Sequence, residues 1–217
     1  MQRVSTSFFN QDALALAPDL LGKVICRYYN DHWLYAQIIE AEAYELTDKG
    51  SHASLGFTLK RKALFMPAGT IYMYYSRGKD SLNISANGEG CAVLIKSAIP
   101  YGDLSDNQML EVMHQLNPLP NGEKRSTHRL MSGQTLLCRA LNLKVPDWDQ
   151  QQFSQQFFIA DTGYQPQKII QTTRLGIPKG RDEHLPYRFI DADHVKSCTK
   201  NPLTSRIPID YKILKPE

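Results

Sequence analysis

The segment "IIEAEAYELTDKGSHAS", residues 38–54, sets two glutamates, Glu40 and Glu42, into a run of small and branched apolar residues. Tyr44 follows Glu42 by two positions, and His52 lies eight further on. Isoleucine and tyrosine favour a pleated strand, in which alternate side chains share a face at a repeat of about 6.5–7 Å. That alternation predicts Ile38, Glu40, Glu42 and Tyr44 on one side and Ile39, Ala41 and Ala43 on the other. The small apolar side suits a core. The other side is either a solvated face of an antiparallel sheet or the wall of a cleft lined by carboxylates and a phenol.

Upstream, "KVICRYY" and "WLYAQIIEAEAY" read as paired strands joined across "NDH". Before them, "STSFFNQDALALAPDLLG" predicts a helix capped by Asn10 or Ser7, interrupted at Pro18 and ended by Gly22. Downstream, residues 45–69 are loop-rich, with Gly50, Gly56, Pro67 and Gly69. "TIYMYYS" predicts a strand, and "CAVLIKSAIP" a buried one stopped by Pro100. Helices are expected over 105–116, with Leu104, Met109, Leu110 and Met113 apolar, and over 132–143. A polar surface segment follows at 146–166, and "KIIQTTRLGI" and "YRFID" complete the strands. Strands first, with helices interspersed late, give an α+β class around a mixed, mostly antiparallel sheet.

At 217 residues the chain fits a single domain, 1–217, with enough length for a real core. A hydrophobic share of 42% against 22% charged residues is that of a soluble globular protein. The net charge of +3 permits a basic face without demanding one. Cys26, Cys91, Cys138 and Cys198 are widely separated with no CxxC pair, which argues against structural zinc and a disulfide framework. The chain shows no signal-peptide run and no stretch of transmembrane length, so a cytoplasmic, nucleoid-associated location is expected.

The strand at 70–76 sharpens the choice left open at Glu42. Tyr72, Tyr74 and Ser76 share one face, and Met73 and Tyr75 the other. Were this strand close to Glu42 and Tyr44, carboxylates and flat rings would line one cleft, suited to a flat, electron-poor ligand. A carboxylate in an aromatic cage can act as a general base or stabilise an oxocarbenium ion. Glu40 and Glu42 also suggest a two-carboxylate glycosidase, but neighbours on one strand face approach a bond from the same side. Arg77, Gly78 and Lys79 form a basic turn next to the aromatic strand, suited to phosphate contacts. Lys49, Lys60, Arg61 and Lys62 make a second basic cluster, and Lys124, Arg125 and Arg129 a third. Lys96 interrupts the apolar face of Ala92, Leu94 and Ala98, and a buried ammonium calls for a partner; Glu42 or Glu40 would serve.

The blocks "LLGKVICR", "IIEAEAY…SHAS", "LFMPAGTIYMYY", "LNIS…GEGCAVLIKSAIP", "SGQTLLCRALNL" and "TTRLGIPKG" stand in this order between about residues 7 and 190. Together they resemble the alkyladenine (3-methyladenine) DNA glycosylase family. The resemblance implies a monomer folded around a curved antiparallel sheet. It also implies monofunctional hydrolysis, with no cofactor, of damaged purines flipped from double-stranded DNA. Carried over by position, Glu42 matches the general base for water, and Tyr44 and Tyr74 the rings on either face of the flipped base. His52 matches the histidine beside the base, and Asn83 the asparagine that screens purine substituents. Arg77 occupies the place of the family's large wedge residue, with Lys79 beside it at the DNA backbone. Lys96 stands where the family carries an arginine near the catalytic water. Two rival readings remain: a non-catalytic nucleic-acid-binding module, and a small-molecule nucleoside or glycoside hydrolase using Glu40 and Glu42.

Overall fold

Asn30 and Asp31 both adopt left-handed backbone, with φ of 49° and 64°. That pair is the two-residue hairpin turn whose twist matches the flanking strands. It joins β2 (Val24–Tyr29) to β3 (His32–Tyr44), aligned from Val24 opposite Gln37 to Tyr29 opposite His32. The structure, a computed structural model, describes residues 1–103 and 107–215. The remaining strands are β1 (Gln2–Arg3), β4 (Ile71–Ser76), β5 (Lys79–Ser85), β6 (Ala92–Pro100), β7 (Phe157–Asp161), β8 (Ile169–Thr172), β9 (Arg188–Asp191) and β10 (Tyr211–Leu214).

One sheet holds all ten strands, and every pairing among the described residues is antiparallel. Its main order is β1-β7-β2-β3-β6-β5-β4. The long β3 changes partner along one edge. Its first half pairs with β2, its second half with β9, and β9 carries β8 and β10 outward. The α+β expectation holds, and β1, β5, β7 and β10 are strands that the sequence reading did not isolate.

Against β3, β6 runs with register shifts between Ile38 and Glu40 and between Glu40 and Ala41. The shifts break the alternation expected from sequence. Ile38 packs with Ala41 and Ala43 in the main core, whereas Ile39 joins Ile170, Ile190 and Cys198 in a separate cluster. On β6 the same irregularity leaves Lys96 between Ile95 (opposite Ala41) and Ser97 (opposite Glu40). Ala98 therefore turns to the core with Val93 and Ile95, away from the face Lys96 occupies. An unpaired residue shifts the period-two pattern by one, and every later side chain changes face.

Helix α1 (Ala13–Asp19) is capped by Asp12, whose carboxylate accepts from the Ala15 amide at 2.9 Å. Asn10 instead closes a preceding 3-10 turn, Thr6–Phe9, that includes Ser7. Pro18 ends α1 rather than interrupting it: next to the last residue, its missing N–H costs a single hydrogen bond. Gly22 follows at φ 83°, and a Cβ there would lie 2.5 Å from the Tyr164 ring, so only glycine lets the chain pass. Helix α2 (Asn107–Leu116) occupies most of the expected 105–116; Leu104 and residues 105–106 lie outside the described residues. Helix α3 (Gln134–Ala140) lies within the expected 132–143 and packs on β5 and β6 through Leu137 and Cys138. The polar segment after 145 begins with a short turn, α4 (Val145–Trp148).

Candidate active site

The strand registers bring Arg188, Glu42, Leu94, Asn83 and Tyr72 into one transverse row across β9, β3, β6, β5 and β4. Residues directly opposite in neighbouring strands project from the same face. The row thus points a guanidinium, a carboxylate, an amide and a phenol toward one side of the sheet. Offset by two residues, Tyr44 stands opposite Ala92 and Tyr74 opposite Ser81. β3 and β4 are not neighbours: β6 and β5 lie between them and form a floor of Ala92, Leu94 and Asn83 under a cavity of about 910 Å³.

Tyr44, His52, Tyr74, Arg77, Lys79, Asn83 and Lys96 all line this cavity. Glu42 does not: it is fully buried behind them. Its carboxylate accepts from the Tyr44 hydroxyl at 2.7 Å and from the Leu175 amide at 3.3 Å, and pairs with Lys96 Nζ at 3.2 Å. Burial pushes its pKa up. Lys96, Arg188, the Tyr44 hydroxyl and the Leu175 amide pull it down more strongly, so the net shift is downward and the group is an anion at neutral pH.

Rings close the other wall. Tyr72 and Tyr74 stack with centroids 5.6 Å apart, as expected of residues sharing a strand face. His52 packs edge-on against Tyr74 at 4.3 Å and bonds through Nδ1 to the Tyr72 hydroxyl at 2.9 Å. Burial, with Arg61 and Arg181 nearby, lowers the His52 pKa, so the imidazole is neutral at physiological pH. The Asn83 side-chain amide donates to the Tyr72 carbonyl at 3.2 Å and fixes its orientation on the floor. Burial first, then the Glu42 charge, raises the Tyr74 pKa.

Arg77 and Gly78 are the tip of the β4–β5 hairpin, with φ of 51° and 75°. Lys79 already belongs to β5, and both basic side chains are exposed at the cavity mouth. Among the described residues the cavity lining contains four cations, Arg77, Lys79, Lys96 and Arg181, and no carboxylate. The third basic cluster lies elsewhere, with Lys124 paired to Glu111 at 2.6 Å and Arg129 bonded to the carbonyls of Lys196 and Cys198.

Glu40 and Glu42 do not work as a pair. Glu40 is buried and accepts from Ser97, Arg188, and both the amide and hydroxyl of Thr199, none of which lines the cavity. A two-carboxylate glycosidase arrangement is absent at these positions. Sequence reasoning missed the segment that closes the site from above. Leu175, Gly176, Ile177 and Pro178 line the cavity, and Arg174 sits behind Tyr44 with its guanidinium 4.6 Å from the ring centroid. The signal was an arginine inside "TTRLGIPKG", a block that reads as strand end and turn.

The chain is also similar to known proteins. A family profile described as "Methylpurine-DNA glycosylase" matches residues 7–195. A protein of Pseudomonas aeruginosa named "Putative 3-methyladenine DNA glycosylase" is 59% identical over 199 residues, covering 91% of this chain and 83% of its own. One of the same name from Pseudomonas savastanoi pv. phaseolicola is 59% identical over 198 residues, covering 90% of this chain and 89% of its own. Another from Clostridium botulinum is 34% identical over 181 residues, covering 81% and 88%.

Proposed function

The chain belongs to the methylpurine-DNA glycosylase family, and on that premise we propose that it flips alkylated or deaminated purines out of duplex DNA and hydrolyses their base–sugar bond with water. The observation that carries this reading is the ionised Glu42, collared by Lys96 and Tyr44, directly behind the wall of a basic cavity faced with aromatic rings.

Extrusion of a base costs a few kcal/mol and is easiest for damaged or mispaired bases, which is itself a source of selectivity. Stacking against Tyr44 and Tyr74 returns roughly 1–3 kcal/mol. Neutral His52 and the oriented Asn83 amide read the base edge. Arg77 enters the gap in the duplex and Lys79 meets phosphate, neither carrying sequence information.

For hydrolysis, water adds to C1′ as the glycosidic bond breaks, and the base departs with the bonding electrons. Glu42 takes the water's proton, and its charge stabilises the oxocarbenium character of the sugar. Lys96, reaching both Glu42 and the cavity, positions that water. With its ammonium committed to this ion pair, Lys96 is a poor Schiff-base nucleophile, so the product is an abasic site with the strand intact.

The test is excision from duplexes carrying methylated purines or hypoxanthine. Glu42→Gln is expected to keep DNA affinity and to lose base release by a factor of about 10² or more. Borohydride added to either reaction should trap no protein–DNA adduct. Near-normal release by Glu42→Gln removes the glutamate from the mechanism, and a trapped adduct makes the protein a lyase as well.

A further inference from the structure

Arg174 has a geometry that water-activation chemistry does not require. Its side chain is wholly buried and absent from the cavity lining, yet its guanidinium lies over Tyr44 at 4.6 Å and Tyr187 at 5.4 Å. Tyr44 itself lines the cavity, so Arg174 covers the ring face turned away from any ligand. One terminal nitrogen is held by the Asp48 carboxylate and the Ala43 carbonyl. Nε and Nη2 have no hydrogen-bond partner, so the two ring faces serve where acceptors would normally stand. Tyr44 cannot swing away, because its hydroxyl is bonded to Glu42.

We infer that Arg174, acting through Tyr44, sets the charge preference of the slot toward electrically neutral bases. The inference rests on the glycosylase reading and deepens it to a substrate class. A tyrosine ring attracts a cation through the negative potential above its face. A guanidinium already on the rear face draws on that potential, while its Asp48 partner offsets its longer-range field. A base with a formal positive charge, such as 7-methylguanine, meets a weakened partner at the front face. A neutral one, such as hypoxanthine, stacks without that penalty. The rest of the cavity adds to the bias: Lys96 compensates the nearby Glu42, and the lining still carries Arg77, Lys79 and Arg181 with no carboxylate among the described residues.

The experiment measures single-turnover excision of 7-methylguanine and of hypoxanthine in otherwise identical duplexes, and reads the ratio of the two rates. Arg174→Gln combined with Asp48→Asn removes both charges together and should raise the cationic-to-neutral ratio roughly threefold or more. Asp48→Asn alone leaves the guanidinium without its counter-charge and should lower the ratio. A purely structural role for Arg174 would reduce both rates in parallel at constant ratio, and that result overturns the inference. If the double variant does not fold, Asp48→Asn decides: an unchanged or raised ratio overturns the inference as surely. Excision of neither base by the unaltered protein would instead overturn the glycosylase reading.

Discussion

At the scale of single residues, the carboxylate of Glu42 stands out for its position behind the cavity wall rather than in it. The sequence placed Glu42 and Tyr44 on one face, and the 2.7 Å bond between them bears this out. What the sequence could not supply is the rest of the collar, because the Leu175 amide and the Arg188 guanidinium come from segments more than 130 residues away. The collar makes a pH prediction. Burial alone would raise the Glu42 pKa, and Lys96 is the leading group that outweighs it. In Lys96→Met the pKa of Glu42 must rise, and the acid limb of the pH–rate profile should move to higher pH. The same linkage gives the sign for stability. A carboxyl with lowered folded-state pKa stabilises the fold above its unfolded value, and that stabilisation fades as pH falls through the lowered one. An acid limb that stays in place in Lys96→Met would show that Lys96 does not set the charge of Glu42.

Among the elements, the β4–β5 hairpin and the β3–β6 pairing differ in how much of them could be read. The tyrosine alternation in β4 is regular, and Tyr72 and Tyr74 stack as the pattern requires. In β3 and β6 the pattern misled, because a register shift depends on the partner strand and leaves no mark in either sequence alone. The hairpin tip offers a separate test. Arg77 adopts φ 51°, a conformation that costs a side-chain-bearing residue about 1 kcal/mol or more. Arg77→Gly should therefore leave the hairpin at least as stable by thermal melting while weakening DNA binding. Lys79→Ala removes the phosphate contact beside it, and the slope of log affinity against log salt should shrink by about one. An unaltered slope would place Lys79 away from the DNA backbone.

For the molecule as a whole, the sheet is held at the middle of β3 by a buried charge knot. Arg188 donates to Glu40 at 2.7 Å and also reaches the Lys200 carbonyl at 2.7 Å, while Ser97 bonds both Glu40 and the Gly133 amide. Breaking such a buried pair from one side costs about 3–5 kcal/mol, because the remaining charge is stranded. Glu40→Gln should lower the melting temperature by roughly 10 °C, with Glu42→Gln costing less, since Lys96 retains access to the cavity. Equal melting temperatures for the two variants would remove Glu40 from this role. The α+β class was legible from strand-rich composition and element order. The knot was not, since "YRFID" reads only as a strand and Thr199 carries no signal of its own.

The transverse row from Arg188 to Tyr72 also bears on how the protein comes into being. Its members are spread from position 42 to position 188 of a 217-residue chain. A polypeptide emerging from the ribosome acquires the last of them only once Arg188 has been made. Until then it has tyrosines and a glutamate but no assembled pocket, so the site and the closed sheet arise together.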